Sequence, residues 1–413
     1  MTEEYFLIKQ SRICGEVVPQ GSKNAALPLI AACVECRGRY VLRNVPDIED
    51  VKTLIKIFSN YGVKFTFRNN ELSIDSRELR SSVESSEEEE KLRASSYLIG
   101  AIIPSNKRLV LSPPGGCKLG DRPLDIHFDV CRSLGVTVRI EDKLYFEWDQ
   151  EGSRKINLRF PSVGATINAI MLAASLEKET LIVNAAPEPE VDEVISFYRL
   201  TGVKIEREGE SILIFGKENK KEIVYAVPFD RIVCGDLMLL AAATKGELLI
   251  KGVDFHQEAA LIGKFSLTPC QIRYYYDRIY IRNSGRVCGN VITAPYPYFP
   301  TDLQAQFAAA SVGSGGSCRI CEHVFGSRFA YFEELEKMGA KGKIDGNELT
   351  LERSALTGAT VTAKDLRSGM ALTIAGFAAR GYTKVYGLRY LDRGYENLVR
   401  VLTSINGDIK RIE

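Results

Sequence analysis

Six stretches of the chain are apolar on nearly every side: residues 23–32, 93–101, 165–174, 235–243, 301–309 and 367–376. A helix with no polar face has to be buried, and the many alanines and glycines here allow close helix contact. Between these stretches a second phrase recurs: the end of an amphipathic helix, a glycine or a substitute, then a segment alternating apolar and polar positions. It is read at Phe58-Ser59-Asn60-Tyr61-Gly62-Val63-Lys64-Phe65, Cys131-Arg132-Ser133-Leu134-Gly135-Val136-Thr137-Val138 and Tyr198-Arg199-Leu200-Thr201-Gly202-Val203-Lys204-Ile205. Later copies are Leu335-Glu336-Lys337-Met338-Gly339-Ala340-Lys341 and Leu402-Thr403-Ser404-Ile405-Asn406-Gly407-Asp408-Ile409, with a weaker one carrying Pro269 in the glycine position. Glycine suits this place because helices often end on a left-handed residue. Steps between Gly62, Gly135, Gly202, Pro269, Gly339 and Gly407 are 73, 67, 67, 70 and 68 residues.

Each period therefore predicts one buried helix, one amphipathic helix and about four strands, a unit too long for a short solenoid repeat. Three units per domain give an α/β chain of two similar domains. The first spans residues 23–229; the second combines residues 1–22 with residues 230–413.

Length and composition add limits. The 413 residues, 45% hydrophobic and 26% charged, are enough for two cores. A net charge of +1 argues against nucleic acid or an anionic membrane as a general partner. The start, Met1-Thr2-Glu3-Glu4-Tyr5, is acidic, and no apolar run reaches the roughly 18 residues of a membrane span. A cytoplasmic protein is expected. Its ten cysteines are then expected as free thiols. The pairs Cys33/Cys36 and Cys318/Cys321 read as buried inert thiols rather than a zinc site, since Cys318 and Cys321 would point to opposite faces of a strand. The run Ser85-Ser86-Glu87-Glu88-Glu89-Glu90 reads as a solvated, serine-capped helix start.

The chemistry gathers at the starts of the six apolar helices. They carry Lys23 and Asn24, Arg93 and Ser95, Ser162 with Gly164 and Thr166, Asp236, Thr301 with Asp302, and Arg367. Helix N-termini expose unpaired N–H groups and a positive dipole end, so they favour anions. Equivalent placement in each repeat predicts that these ends converge on a cleft between the domains. The loop Pro113-Pro114-Gly115-Gly116-Cys117-Lys118-Leu119-Gly120-Asp121-Arg122 reads as a lid with a reactive thiol, because Lys118 and Arg122 favour the thiolate. Asp302, behind Tyr296-Pro297-Tyr298-Phe299-Pro300, is a candidate proton acceptor or an N-cap. No Ser/His/Asp set, metal-spaced histidines, P-loop or dinucleotide fingerprint is present.

Several longer motifs resemble the UDP-N-acetylglucosamine 1-carboxyvinyltransferase family, one of the enolpyruvyl transferases, in collinear order over the whole chain. They include Gly21-Ser22-Lys23-Asn24-Ala25-Ala26-Leu27-Pro28, Gly115-Gly116-Cys117, Arg122-Pro123-Leu124-Asp125-Ile126-His127 and Ser162-Val163-Gly164-Ala165-Thr166. Others are Asn184-Ala185-Ala186-Pro187-Glu188-Pro189-Glu190, Phe299-Pro300-Thr301-Asp302-Leu303-Gln304-Ala305-Gln306, Asp365-Leu366-Arg367 and Asp392-Arg393-Gly394-Tyr395-Glu396. The resemblance implies two inside-out α/β barrel domains, each of three βαβαββ-type repeats, with an active-site cleft between them. It implies transfer of the enolpyruvyl group of phosphoenolpyruvate to the 3′-hydroxyl of UDP-N-acetylglucosamine with release of phosphate, the first committed step of peptidoglycan synthesis and so of cell-wall formation. By the same resemblance Lys23, Arg93, Arg122 and Arg393 would hold phosphoenolpyruvate, with Arg367 nearby. Cys117 would be the lid acid and Asp302 the base. Arg122, Pro123, Leu124, Asp125 and Ile126, with Ser162, Val163 and Gly164, would hold the uridine diphosphate, and Asn24 the sugar. Thr301, Val324 and Arg328 would also line the substrates. No metal or cofactor is called for.

The chain departs from the family pattern at Val233, Asp236, Gly326, Ser327 and Phe160-Pro161. These changes bear on the acceptor more than on the phosphoenolpyruvate set. The alternatives are transfer to another uridine nucleotide or sugar nucleotide, and a non-catalytic UDP-sugar-binding protein.

Overall fold

The six apolar stretches form helices, three in each of two compact units. The computed structural model describes residues 3–80, 87–112, 124–217, 221–326 and 328–413. The inner helices are Lys23–Glu35, Leu98–Asn106, Val163–Ala174, Arg231–Ala243, Gln304–Gly313 and Leu366–Ala378. Two of them are entered through short 3-10 turns, Arg93–Tyr97 and Thr301–Leu303. Every residue from Ala25 to Glu35 and from Ile232 to Ala243 is buried, as helices without a polar face require.

Two compact units result: the described residues from Gly21 to Pro228, and residues 3–20 together with 229–413. They are called here the first and the second unit. Each has its own hydrophobic core, one drawn from Ala25 through Val227 and one from Phe6 through Ile409. In each, three inner helices pack on one another and three sheets lie around them. This is the inside-out α/β arrangement that the resemblance implies, and it agrees with the three units per domain read from the period.

The sheets share one plan. A hairpin such as Lys204–Glu208 and Ser211–Phe215 pairs antiparallel with the strand that follows the inner helix, here Glu179–Val183. That strand pairs in parallel with the one before the helix, Lys155–Asn157, closing a β-α-β crossover. The hairpin-on-strand pairing recurs in five four-stranded sheets, but only three of them close the crossover within one repeat; Arg39–Arg43 takes Glu222–Ala226 as its parallel partner and Glu247–Lys251 takes Cys14–Val17. The sixth sheet, Arg108–Leu111 with Leu144–Trp148 and Val136–Ile140, has three strands among the described residues. In the last repeat the hairpin is completed from the other end of the chain. Tyr5–Lys9 lies between Asp408–Ile412 and Tyr382–Tyr386, where other repeats use their own second hairpin strand. This pairing ties the N-terminal segment to the second unit.

The recurrent glycines behave as expected: Gly62, Gly135, Gly202 and Gly339 have φ of +87°, +83°, +94° and +94°. The last copy needs a correction. Its left-handed residue is Asn406, with φ +68°, not Gly407. Asparagine tolerates this conformation through its short polar side chain. The acidic run is corrected too. Glu89, in the short helix Glu87–Lys91, is buried, and its Oε2 accepts from the Ser112 N–H at 3.2 Å. Ser85 and Ser86, read as caps, lie outside the described residues. The nine described cysteines are all free. Cys318 is buried and Cys321 half-buried on opposite faces of one strand. No helix among the described residues is long and apolar enough to cross a membrane.

Candidate active site

In the first unit, two of the three inner helices start on serine caps rather than acids. Ser22 Oγ accepts from Ala25 N at 3.3 Å, and Ser162 Oγ from Ala165 N at 3.4 Å. Neither helix has an acidic residue in its first turn, so the positive dipole ends are not neutralised locally. Lys23 opens its helix and lies 2.5 Å from Asp50 of Glu49–Asn60, a partner that sequence reading missed. Asn24 beside it is half-buried. Arg93 sits on the 3-10 turn rather than on the helix proper.

Around that turn lies a neutral polar junction. Asn168, fully buried, accepts from Gly100 N at 3.0 Å and donates to Ser96 O at 3.0 Å. Its amide nitrogen also lies 2.8 Å from His127 Nδ1. Since that nitrogen is a donor, Nδ1 of His127 accepts and Nε2 carries the hydrogen. Burial, with the nearby Arg93 charge, pushes His127 down to about 3, so the ring is neutral. Nε2 faces Gly164, where a Cβ would stand 3.2 Å away. Glycine thus lets the start of the Val163–Ala174 helix approach the ring. Asp125, beside Leu124 and Ile126, is ion-paired with Arg159, a second cation that the sequence did not single out.

The second unit is organised differently. Two of its inner helices are capped by carboxylates: Asp230 Oδ1 accepts from Ile232 N and Val233 N, and Asp365 forms a capping box with Ser368. Asp302 is not a cap. It lies on the Thr301–Leu303 turn, and its side chain, 27% exposed, is held between two buried arginines. Arg328 Nη1 donates to Asp302 Oδ1 at 2.9 Å and to Thr301 Oγ1 at 2.8 Å; Arg367 Nη2 donates to Asp302 Oδ2 at 2.8 Å. Thr301 in turn donates to Glu322 Oε2 at 2.7 Å, while Glu322 Oε1 accepts from Val324 N at 2.8 Å. One hydrogen-bonded set therefore joins Thr301, Asp302, Val324, Arg328 and Arg367. Arg393 is half-buried in the turn that leads into Tyr395.

Asp236 requires a correction. The helix begins at Arg231, so Asp236 lies inside it and not at its start. It is fully buried, accepting from Tyr395 Oη at 2.6 Å and from Gln306 Nε2 at 2.9 Å. Burial pushes its carboxyl up to about 7 against the pull of Arg367. Neighbouring Glu258 is pushed up to about 8 by burial, opposed chiefly by Arg231. The predicted residues Cys117, Arg122 and Pro123, and Ser327, lie outside the described residues. Among the described residues no group of three or more His, Cys, Asp or Glu could hold a metal ion.

Residues 7–402 match the family model described as EPSP synthase (3-phosphoshikimate 1-carboxyvinyltransferase). The chain is 39% identical over 411 residues to UDP-N-acetylglucosamine 1-carboxyvinyltransferase 2 of Caldanaerobacter subterraneus subsp. tengcongensis, covering 97% of each. It is 36% identical over 408 residues to the UDP-N-acetylglucosamine 1-carboxyvinyltransferase of Prosthecochloris aestuarii, covering 97% of this chain and 96% of that protein. Among solved structures, the enolpyruvyl transferase NikO from Streptomyces tendae superposes with a TM-score of 0.90 at 20% identity, over 100% of this chain and 99% of that one. EPSP synthase from Acinetobacter baumannii superposes with a TM-score of 0.74 at 15% identity, over 100% of both chains. These two likenesses concern the fold.

Proposed function

This chain belongs to the family described as EPSP synthase (3-phosphoshikimate 1-carboxyvinyltransferase) and, within it, to the UDP-N-acetylglucosamine 1-carboxyvinyltransferases; on that premise we propose that it transfers enolpyruvyl from phosphoenolpyruvate to the 3′-hydroxyl of UDP-N-acetylglucosamine. Phosphate is the other product. The observation that carries the chemistry is Asp302, a partly exposed carboxylate aimed by two buried arginines.

Both substrates are anionic, which suits the uncompensated helix starts of the first unit. Lys23, Arg93, Arg122 and Arg393 hold phosphoenolpyruvate, with Arg367 close by. The segment Arg122 to Ile126, with Ser162, Val163 and Gly164, takes the uridine diphosphate, and Asn24 the sugar. Asp302 accepts the proton of the acceptor hydroxyl as its oxygen bonds to carbon two of phosphoenolpyruvate. Cys117 delivers a proton to the methylene carbon. Loss of a proton from the resulting methyl group and departure of phosphate restore the vinyl group. Positioning, one acid and one base carry this sequence, and the cations stabilise the charges of the substrates. The free thiols support a reducing, cytoplasmic setting, where this step opens peptidoglycan synthesis.

Phosphate release from phosphoenolpyruvate with UDP-N-acetylglucosamine, beside a panel of other uridine nucleotides and sugar nucleotides, tests the reaction and the acceptor. UDP-N-acetylglucosamine should be preferred; release with none of the acceptors overturns the reading. Cys117→Ala should abolish or sharply reduce turnover. Asp302→Ala should retain substrate binding while chemistry stops.

A further inference from the structure

Each of the three inner helices of the second unit sends one polar side chain to a common junction: Asp236 from Arg231–Ala243, Gln306 from Gln304–Gly313 and Arg367 from Leu366–Ala378. Such a junction can be built from neutral groups, as Asn168 shows in the first unit. A carboxyl at 0% exposure is a costly choice for packing alone. Its connections point to another use. Tyr395 Oη gives its hydrogen to Asp236 at 2.6 Å, leaving its oxygen lone pairs to accept from Arg367 Nη1 at 3.4 Å. The other terminal nitrogen of Arg367 is 2.8 Å from Asp302. Arg367 is thus shared between a carboxylate that meets solvent and a path that ends on a buried one.

We propose that Asp236 is a positioning residue for the transfer: through Tyr395 it sets how Arg367 divides itself between the junction and Asp302. When Asp236 is ionised, its charge draws the guanidinium toward Tyr395 and loosens the hold on Asp302. When Asp236 is protonated, that pull is absent and Arg367 rests on Asp302 alone. The groups facing Asp236 are Gln306, Arg367, Tyr395, the cap Asp230 and, past Cys234, Glu258. The strands Glu247–Lys251 and Arg278–Asn283, which also pack on this helix, bring buried Leu248, Ile250 and Ile279, none of them titratable. With its carboxyl pushed up to about 7, both states of Asp236 are reached near neutrality.

The role of Asp236 in turnover rests on the proposed reaction, but its coupling to Asp302 does not, so the two are tested separately. Carboxyl-carbon NMR titration of the resting protein reads the Asp236 midpoint. Asp302→Asn releases Arg367 and should lower that midpoint by on the order of one pH unit. An unmoved midpoint overturns the coupling whether or not the protein turns over any substrate. In the phosphate-release assay, Asp236→Asn and Tyr395→Phe should each lower kcat roughly tenfold with little change in KM, and the double variant should be no worse than either alone. Both should also lose a step near pH 7 in the kcat profile. Profiles superimposing on the parent protein, or losses that simply multiply, overturn the positioning role. Tyr395→Phe keeps the test decisive if Asp236→Asn does not fold.

Discussion

Lys23, the first residue of its helix, lies 2.5 Å from Asp50, and their side chains are only 14% and 6% exposed. The cation expected to meet phosphoenolpyruvate is therefore set in place by a carboxylate on the next helix. Removing either one takes this close opposite charge away from a largely buried group. Lys23→Met alone should cost about 3 kcal/mol of stability, and Lys23→Met with Asp50→Asn much less than the two single losses combined. A denaturant double-mutant cycle measures this. Additive losses would show that the pair contributes nothing beyond its separate residues.

Stability should depend on pH in a specific sense. Burial raises Glu35 and Asp236 to about 7 and Glu258 to about 8. A carboxyl raised on folding contributes stability that is complete below its unfolded value, 3.8 for Asp236 and 4.5 for Glu35 and Glu258, and is lost as pH climbs through 7 to 8. His127, lowered to about 3, works oppositely: its contribution is present above 6.5 and is lost as pH falls toward 3. Three carboxyls outweigh one histidine above pH 4.5, so urea midpoints should be highest near pH 4 to 5 and fall from there to about pH 8. Glu35→Gln, which keeps an acceptor for the Tyr198 hydroxyl 2.8 Å away, should flatten the alkaline side by on the order of 3 kcal/mol. An unchanged slope between pH 6 and pH 9 would mean that Glu35 does not hold its proton in the folded chain.

Gly100 marks a close helix approach. A Cβ there would stand 2.4 Å from Met171 Cε and 2.8 Å from Asn168 Oδ1. Gly100→Ala should cost roughly 1–3 kcal/mol, because the junction around Asn168 has no slack. A thermal melt within one degree of the parent protein would show that Met171 and Asn168 yield freely.

Asn406 occupies the left-handed place of the last repeat at φ +68°. Asn406→Ala should lower stability by about 1 kcal/mol, whereas Asn406→Gly should be neutral to within a few tenths. Equal effects of alanine and glycine in the same denaturation assay would separate the cost from backbone conformation.

Much of the architecture was legible because the signals are local. A helix apolar on every side has to be buried, and a helix end wants a left-handed residue, so the six-fold period could be read directly. The misreadings have local causes as well. Gly235 reads as a helix start because Asp230, the true cap, sits five residues earlier before an arginine. Glu89 was counted with a solvated acidic run, yet it is drawn inside to accept from the Ser112 N–H. Gly407 reads as the left-handed residue ahead of Asn406 because glycine is the commoner one there.

The site was legible as a set of residues and not as a set of pairs. Lys23, Arg93, Asp302 and Arg367 stand out by recurring near the starts of apolar helices. Asp50 and Glu322 do not, since an Asp or Glu in an ordinary segment carries no mark of its partner, and Gln306, though inside an apolar stretch, carries no mark of its partner either. The separations explain why: Asp236 and Tyr395 are 159 residues apart, and Arg367 and Asp302 are 65 apart. By itself, then, the order of apolar, glycine and charged positions determined the repeats, the helices at their centre and which charged residues stand near the helix starts. Only the tertiary structure decided which carboxylate holds which cation, and that Asp236 is sealed inside. Hydrogen bonds and desolvation depend on distances of a few ångströms between segments that only folding brings together.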